Sequence, residues 1–286
     1  MTPCGGKIAV QGTGLTISRL GFGCARVFGG GESRASRKLL EAALAAGLTH
    51  FDTAPSYAYG QSEEMLGEVL AGLPAVTITT KVGLPTGGAP SQAGTFYRRF
   101  ARPALARVPA LKRALLRARE RPAAGAPPLA RRVLGADEIA ASVAASLTRL
   151  GRSQIDILLV HEPDQFVIDA ALEERFEALK RDGTILASGL GYGGVAPKEA
   201  AFGEVLQGSY DPASAAPASV IPTAIYHGVL RHRGSSTTRE ALRAAMDAQP
   251  DAALLVSAST PSQIREIASQ VRGATIPPTR NSPHQD

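Results

Sequence analysis

The chain has 286 residues, 44% of them hydrophobic, with no Trp and a formal net charge of +6. That length suits one large α/β barrel or two smaller domains, and the apolar fraction can build a sizeable, mainly aliphatic core. Two cysteines, Cys4 and Cys24, are too few for a disulfide framework, no apolar run nears the ~18 residues of a membrane span, and no charged-then-apolar leader opens the chain, so a cytoplasmic setting without a membrane partner is expected.

Lys7-Ile8-Ala9-Val10 and Leu15-Thr16-Ile17-Ser18 flank Gly12-Thr13-Gly14 and read as a hairpin. Residues 36–46 read as a helix that ends at Gly47, a residue suited to a carboxyl cap. Leu48-Thr49-His50-Phe51 is a short strand ending at Asp52, and Ser62, Glu63 and Glu64 open the next helix with a hydroxyl cap and an acidic first turn. Val76-Thr77-Ile78-Thr79-Thr80 is a strand ending at Lys81. Residues 137–150 carry apolar residues at Ile139, Val143, Leu147 and Leu150, a helical stripe, and Ile155-Asp156-Ile157-Leu158-Leu159-Val160 is a strand ending at His161. Then follow a helix over 167–180, a strand over 185–188, a helix over 197–206, a strand over 221–226, a helix over 238–248, a strand over 252–257 and a helix over 261–271. The tail from 276 to 286 is Pro-rich and polar and is expected to fray. Strands alternating with helices indicate a parallel sheet with crossover helices.

Residues 84–135 break this rhythm and read as one long Arg/Pro/Ala-rich insertion, either a lid or a solvated flap. Within it, 110–121 has the pattern of a basic amphipathic helix, with Pro109 tolerated at its start. Between Arg98 and Arg132 stand eleven basic residues against one acid, Glu120, so that stretch carries +10 and the remainder −4. The basicity belongs to the insertion, and the body of the protein is not expected to bind nucleic acid.

Asp52, Tyr57, Lys81 and His161 each fall at or just after a strand end. In a parallel barrel the carboxyl ends of the strands form one rim, and that rim holds the active site. A nearby ammonium favours the phenolate, so Lys81 is expected to lower the phenol pKa from its ordinary ~10, while the carboxylate keeps the ammonium charged and in place. Taken singly, each has an ordinary structural reading: a turn-forming Asp, a solvated Lys, a polar His at a sheet edge. Tyr59 competes for the phenol role, and His50 and His227 also lie near strand ends. No His/Cys/Asp/Glu cluster has metal-ligand spacing, so no metal is expected. Gly189-Leu190-Gly191-Tyr192-Gly193-Gly194 follows a strand, but glycine richness alone is a weak dinucleotide signal.

In combination these residues resemble the aldo-keto reductases, whose members carry an Asp, a Tyr five positions later, a Lys after the next strand and a His after the one following. Leu20-Gly21-Phe22-Gly23, Gln61-Ser62-Glu63-Glu64-Met65-Leu66-Gly67 and Arg149-Leu150-Gly151 also fit, so the likeness covers about 15–83 and 136–190 in order. The resemblance implies a single (β/α)8 TIM barrel over 1–286, its floor plugged by the amino-terminal hairpin, with the insertion after the third barrel strand. It implies a nicotinamide-dependent oxidoreductase interconverting a carbonyl (aldehyde, ketone or sugar) and an alcohol, with Tyr57 as general acid/base assisted by Lys81 and Asp52, and His161 orienting the carbonyl. It assigns cofactor contacts to Gly23, Cys24, Gln207, Tyr226 as the ring that stacks on the nicotinamide, and Ser257, Ser259, Gln263 and Glu266. Where relatives carry Ser-Asn for the nicotinamide amide, this chain has Gly191 and Tyr192. Where phosphate-selective relatives carry two basic residues, it has Ser257 and Gln263, with Arg265 the nearby cation, so NADP and NAD both stay open. Two other readings remain: a cofactor-binding, weakly catalytic redox-responsive regulator, and a binder of acidic partners through the basic insertion.

Overall fold

In the computed structural model the described residues are 2–25, 27, 33–86, 131–213, 221–231, 234 and 236–272. Among them ten strands and six α-helices form. The opening hairpin is β1 (Lys7–Ala9) and β2 (Thr16–Ser18), antiparallel with Ile8 opposite Ile17. Eight parallel strands then close on themselves: β3 (Leu20–Gly23), β4 (His50–Asp52), β5 (Thr77–Val82), β6 (Ile155–His161), β7 (Ile185–Gly191), β8 (Val205–Ser209), β9 (Thr223–His227) and β10 (Ala253–Val256), with β10 returning to pair with β3. The chain is an eight-stranded parallel α/β barrel. No helix of the described residues is long and apolar enough to cross a membrane.

Successive side chains on a strand alternate between faces, so each barrel strand sends one set inward and one set to the helices. Ile157, Leu159, Ala187, Val205, Ile225, Ala253 and Leu255 point inward, and Ile8, Val10 and Ile17 of the hairpin join them. The hairpin thus plugs the floor of the barrel, leaving the other end, where the strands finish, as the open rim. Phe22, Phe51 and Ile78 point outward into a larger core shared with the helices α1 (Ser33–Ala45) and α2 (Gln61–Val69). Burying each such side chain contributes about 1.5–3 kcal/mol. On the opposite flank α3 (Ala136–Leu150) and α4 (Ala170–Arg181) cover β6 and β7 through Ile139, Val143, Leu172 and Phe176. The remaining helices are α5 (Thr238–Ala248) and α6 (Pro261–Arg272).

Local chemistry sets the helix ends. The Asp169 carboxylate accepts from the Leu172 N–H at 2.9 Å and starts α4 three residues after the expected 167. Thr237 and Glu240 form a reciprocal capping box at α5. Gly151, left-handed at φ 62°, closes α3.

The helix expected over 197–206 does not form. Its Pro-Lys-Glu-Ala-Ala start has helical composition, but tertiary contacts override it. Gly203 adopts φ +68°, and a Cβ there would lie 2.6 Å from the Ser188 backbone. The Glu204 carboxylate accepts from the Ser188 N–H at 2.9 Å and pairs with Lys180 at 2.5 Å, while Phe202 meets the Phe176 ring edge-on at 5.1 Å. These contacts hold 202–204 against β7 and lead straight into β8, so β7 connects to β8 without a helix.

Of the insertion, 87–130 lies outside the described residues, as does the tail from 276 to 286. The expected helix over 110–121 and the lid reading fall there. The boundary itself needs correction: Arg132 belongs to the barrel. Its backbone pairs with Gln165 and Val167, and its guanidinium reaches the Gly83 carbonyl at 2.7 Å, Glu138 at 2.7 Å and the Phe166 ring at 4.7 Å.

Candidate active site

The barrel brings the four strand-end residues into one cavity of about 490 Å³ at the open rim, which Asp52, Tyr57, Lys81 and His161 all line. Thr77, Thr79 and Lys81 share the inward face of β5, and His50 and Asp52 that of β4, so the alternation that fills the core also delivers the ammonium and carboxylate to the rim. Lys81 Nζ donates to both Asp52 oxygens, at 2.9 and 2.8 Å, and to the Thr53 carbonyl at 2.9 Å. It also lies 3.4 Å from the Tyr57 hydroxyl. Gln207 Nε2 donates to Asp52 Oδ2 at 2.6 Å, bracing the carboxylate from the far side of the barrel. The Tyr57 and His161 rings meet edge-on at 5.9 Å.

A buried ion pair needs its remaining donors and acceptors satisfied, and both Lys81 and Asp52 meet that condition. Burial works against the Lys81 charge, yet Asp52 and then Tyr57 more than offset it and raise its pKa. For Tyr57 the balance differs from the sequence expectation. Burial pushes the phenol above its ordinary value, outweighing the downward pull of Lys81. The resting group is therefore a neutral phenol already aimed at an ammonium, which suits a proton donor. His161 is lowered to about 3, first by burial and then by the Lys81 charge, so its imidazole is neutral. It can orient or hydrogen-bond a ligand but does not add a positive charge.

The segment after Tyr57 is strained. Ala58, Tyr59 and Gly60 are left-handed at φ 51°, 61° and 86°. A non-glycine residue there costs about 1–2 kcal/mol, and strain of this kind concentrates at functional sites. The turn presents Tyr57 to the cavity; Tyr59 does not line it.

The sequence-assigned cofactor residues divide. Gly23, Gln207 and Ser257 line the cavity, and Ser257 Oγ donates to the Gly23 carbonyl at 3.0 Å. Cys24 does not: its thiol is buried in the outer core beside the Phe22 carbonyl, and Ala25 lines the cavity instead. Tyr226 does not either. Thr223, Ile225 and His227 take the inward face of β9, so Tyr226 points outward, edge-on to Tyr210 at 6.0 Å, into a separate cavity of about 310 Å³ beyond β8 and β9. The same alternation could have been read from the sequence. Ser259, Gln263 and Glu266 are exposed at the amino end of α6, outside the cavity lining. There Gln263 Oε1 accepts from the backbone N–H groups of Ser259 at 2.9 Å and Thr260 at 3.3 Å.

Glu162, Tyr192, His227 and Arg231 also line the cavity but were not assigned from sequence. His227 Nε2 donates to the Tyr192 carbonyl at 2.9 Å, which fixes its tautomer. Among the described residues no group of three or more His, Cys, Asp or Glu is placed to hold a metal ion.

Residues 19–229 match the model of the aldo/keto reductase family. The chain is 33% identical over 201 residues to a D-threo-aldose 1-dehydrogenase of a Pseudomonas species, a stretch covering 64% of this chain and 52% of that protein. It is 44% identical over 82 residues to a pyridoxal 4-dehydrogenase of Microbacterium luteolum, covering 27% of this chain and 24% of that one. The chain thus spans about half the length of the first relative and less of the second. Among solved structures, the holo form of an aldo-keto reductase from Bacillus halodurans superposes with a TM-score of 0.64 at 20% identity, covering 94% of this chain and 91% of that one. With its barrel closed, its rim residues gathered and most of its length matched by the family model, this chain belongs to the aldo/keto reductase family.

Proposed function

We propose that this protein is an NAD(P)-dependent oxidoreductase that interconverts a carbonyl and an alcohol, with Tyr57 as general acid/base. The observation that carries it is the set of bonds around Lys81, which ties Asp52 and Tyr57 together in the cavity that His161 also lines. A nicotinamide cofactor would supply the hydride in reduction and accept it in oxidation. In reduction the neutral Tyr57 hydroxyl gives its proton to the carbonyl oxygen. Lys81 steadies the phenolate left behind, and Asp52 keeps Lys81 charged. His161, neutral, donates a hydrogen bond to the same oxygen and holds it beside Tyr57. Donors aimed where oxyanion charge develops supply much of the rate. In oxidation the phenolate is the base.

The residues present fit a nicotinamide at the rim. The cavity lies within the ~300–1,000 Å³ of small-molecule sites, and Gly23, Gly191, Gly193 and Gly228 line it without side chains. Gln207 spends its amide N–H on Asp52, and its carbonyl oxygen lies 3.4 Å from where a Gly191 Cβ would stand, facing that wall. For the choice of cofactor, Ser257 and Gln263 offer no charge, and Gln263 already occupies the Ser259 and Thr260 N–H groups. NADP is therefore assigned little advantage over NAD. A cytoplasmic setting is part of the proposal; Cys4 and Cys24 are both buried. Substrates in the range of aldehydes, ketones and sugars are supported by the aldose and pyridoxal dehydrogenases among the relatives.

One observation favours a weakly catalytic cofactor binder instead: at the Ser-Asn positions stand Gly191 and Tyr192, and the Tyr192 carbonyl is engaged by His227. Both readings are tested together by titrating NADH and NADPH by nicotinamide fluorescence, at low and high salt, and then assaying aldehydes and sugars in both directions. Binding of both forms within tenfold, with turnover, is the expected result. A hundredfold preference for NADPH, about 2.7 kcal/mol, contradicts the assignment of cofactor choice, and binding without turnover favours the regulator.

A further inference from the structure

Glu162 follows His161 directly and lines the same cavity. Its backbone is left-handed at φ 52° and is pinned there by two bonds: its N–H donates to the Gly191 carbonyl at 2.8 Å, and its carbonyl accepts from Gln165 at 3.0 Å. The carboxylate is laid against Gly193, where a Cβ would stand 2.4 Å from Oε1; any side chain at 193 would displace it. It is half-buried, yet among the described residues it makes no hydrogen bond or ion pair. Of the other donors lining the cavity, Arg231 is exposed, whereas Lys81 and His227 are committed elsewhere. The Lys81 ammonium is taken up by Asp52, Thr53 and Tyr57, and His227 Nε2 by Tyr192. His161 is neutral. A carboxylate is an acceptor only, and withdrawing it from water is costly without donors to meet it.

We infer that Glu162 is a specificity-determining residue that accepts hydrogen bonds from hydroxyl groups flanking the substrate carbonyl, selecting neutral hydroxylated carbonyl compounds and rejecting anionic ones. The inference rests on the oxidoreductase reading above. A carbonyl oxygen between Tyr57 and His161 sets the adjoining carbons beside residue 162, next along the chain from His161. A hydroxyl there completes the carboxylate's shell, an alkyl chain leaves it as it was, and a carboxylate is repelled.

The test compares wild type with Glu162→Gln and Glu162→Ala on glyceraldehyde, butanal and succinic semialdehyde, reading kcat and KM separately. Expected for Glu162→Ala is a KM for glyceraldehyde raised about tenfold or more, the scale of one charge-assisted hydrogen bond, with kcat/KM for butanal within about twofold. Glu162→Gln, which keeps the shape and removes the charge, should raise kcat/KM for succinic semialdehyde about tenfold. Equal losses on all three substrates, or no change on any, overturn the assignment of Glu162 while wild-type turnover of butanal leaves the oxidoreductase reading standing. A wild type inert on all three overturns both.

Discussion

Two histidines inside the barrel stay neutral, and this shapes both chemistry and stability. His50 is fully buried between the hydroxyls of Thr77, at 2.9 Å, and Thr79, at 3.3 Å, and burial lowers its pKa to about 4. An unfolded chain takes up that proton near pH ~6.5. Between pH 6.5 and 4 the unfolded state therefore binds more protons than the folded one, and stability falls as pH falls, by up to about 1.4 kcal/mol per pH unit for one such group. Urea unfolding at pH 7 and pH 5 should show a lower midpoint at pH 5, and His50→Gln should flatten that slope; an unchanged slope contradicts the buried neutral state. That Asp52, Tyr57, Lys81 and His161 meet in one cavity was legible in the sequence because four different ionisable groups stand at or just after strand ends. Tyr226 faces away from that cavity because the period-two alternation of β9 makes His227 the inward residue, which a motif position alone does not convey. Glu162 and Arg231 carried no sequence signal: what marks them is the cavity they line.

At the scale of elements, the turn that presents Tyr57 is fixed by what lies beneath α2. Glu63, fully buried, accepts from Thr80 at 2.6 Å and from Arg149 at 2.7 Å, tying α2 to β5 and α3. Thr53 and Ser62 hydroxyls add a bond of 2.9 Å across the same junction. Removing one partner of a buried pair costs about 3–5 kcal/mol because the other is left uncompensated. Arg149 keeps 19% of its side chain exposed and can rehydrate in part, so Glu63→Ala should lose about 3 kcal/mol in urea unfolding. A loss below about 1 kcal/mol would show that this network is not what holds α2. Most elements were readable from apolar periodicity and capping residues. The segment 197–206 was not, because its helical composition says nothing about Glu204 meeting Lys180 and Ser188, a contact between distant parts of the chain.

The whole molecule is a barrel that closes without residues 87–130. Gly83 and Arg132, joined by a 2.7 Å bond, bracket the insertion at the barrel wall, and β5 pairs directly with β6. Replacing 88–130 with a short Gly-Ser linker, while keeping Arg132, should leave one cooperative thermal transition; loss of cooperativity would make the segment integral to the fold. The barrel was legible in the alternation of strands and helices, and its closure by β10 on β3 was implied only by family resemblance, since no local pattern encodes which strands meet. The proposed function places on the rim of this barrel an acid–base site worked by Tyr57. Tyr57→Phe keeps the ring and removes only the hydroxyl that Lys81 contacts, so the direct measurement is carbonyl reduction by this variant, with cofactor affinity determined alongside. Near wild-type cofactor binding with turnover reduced about 10²–10⁴-fold is expected; wild-type turnover in Tyr57→Phe would show that this phenol is not the acid–base group.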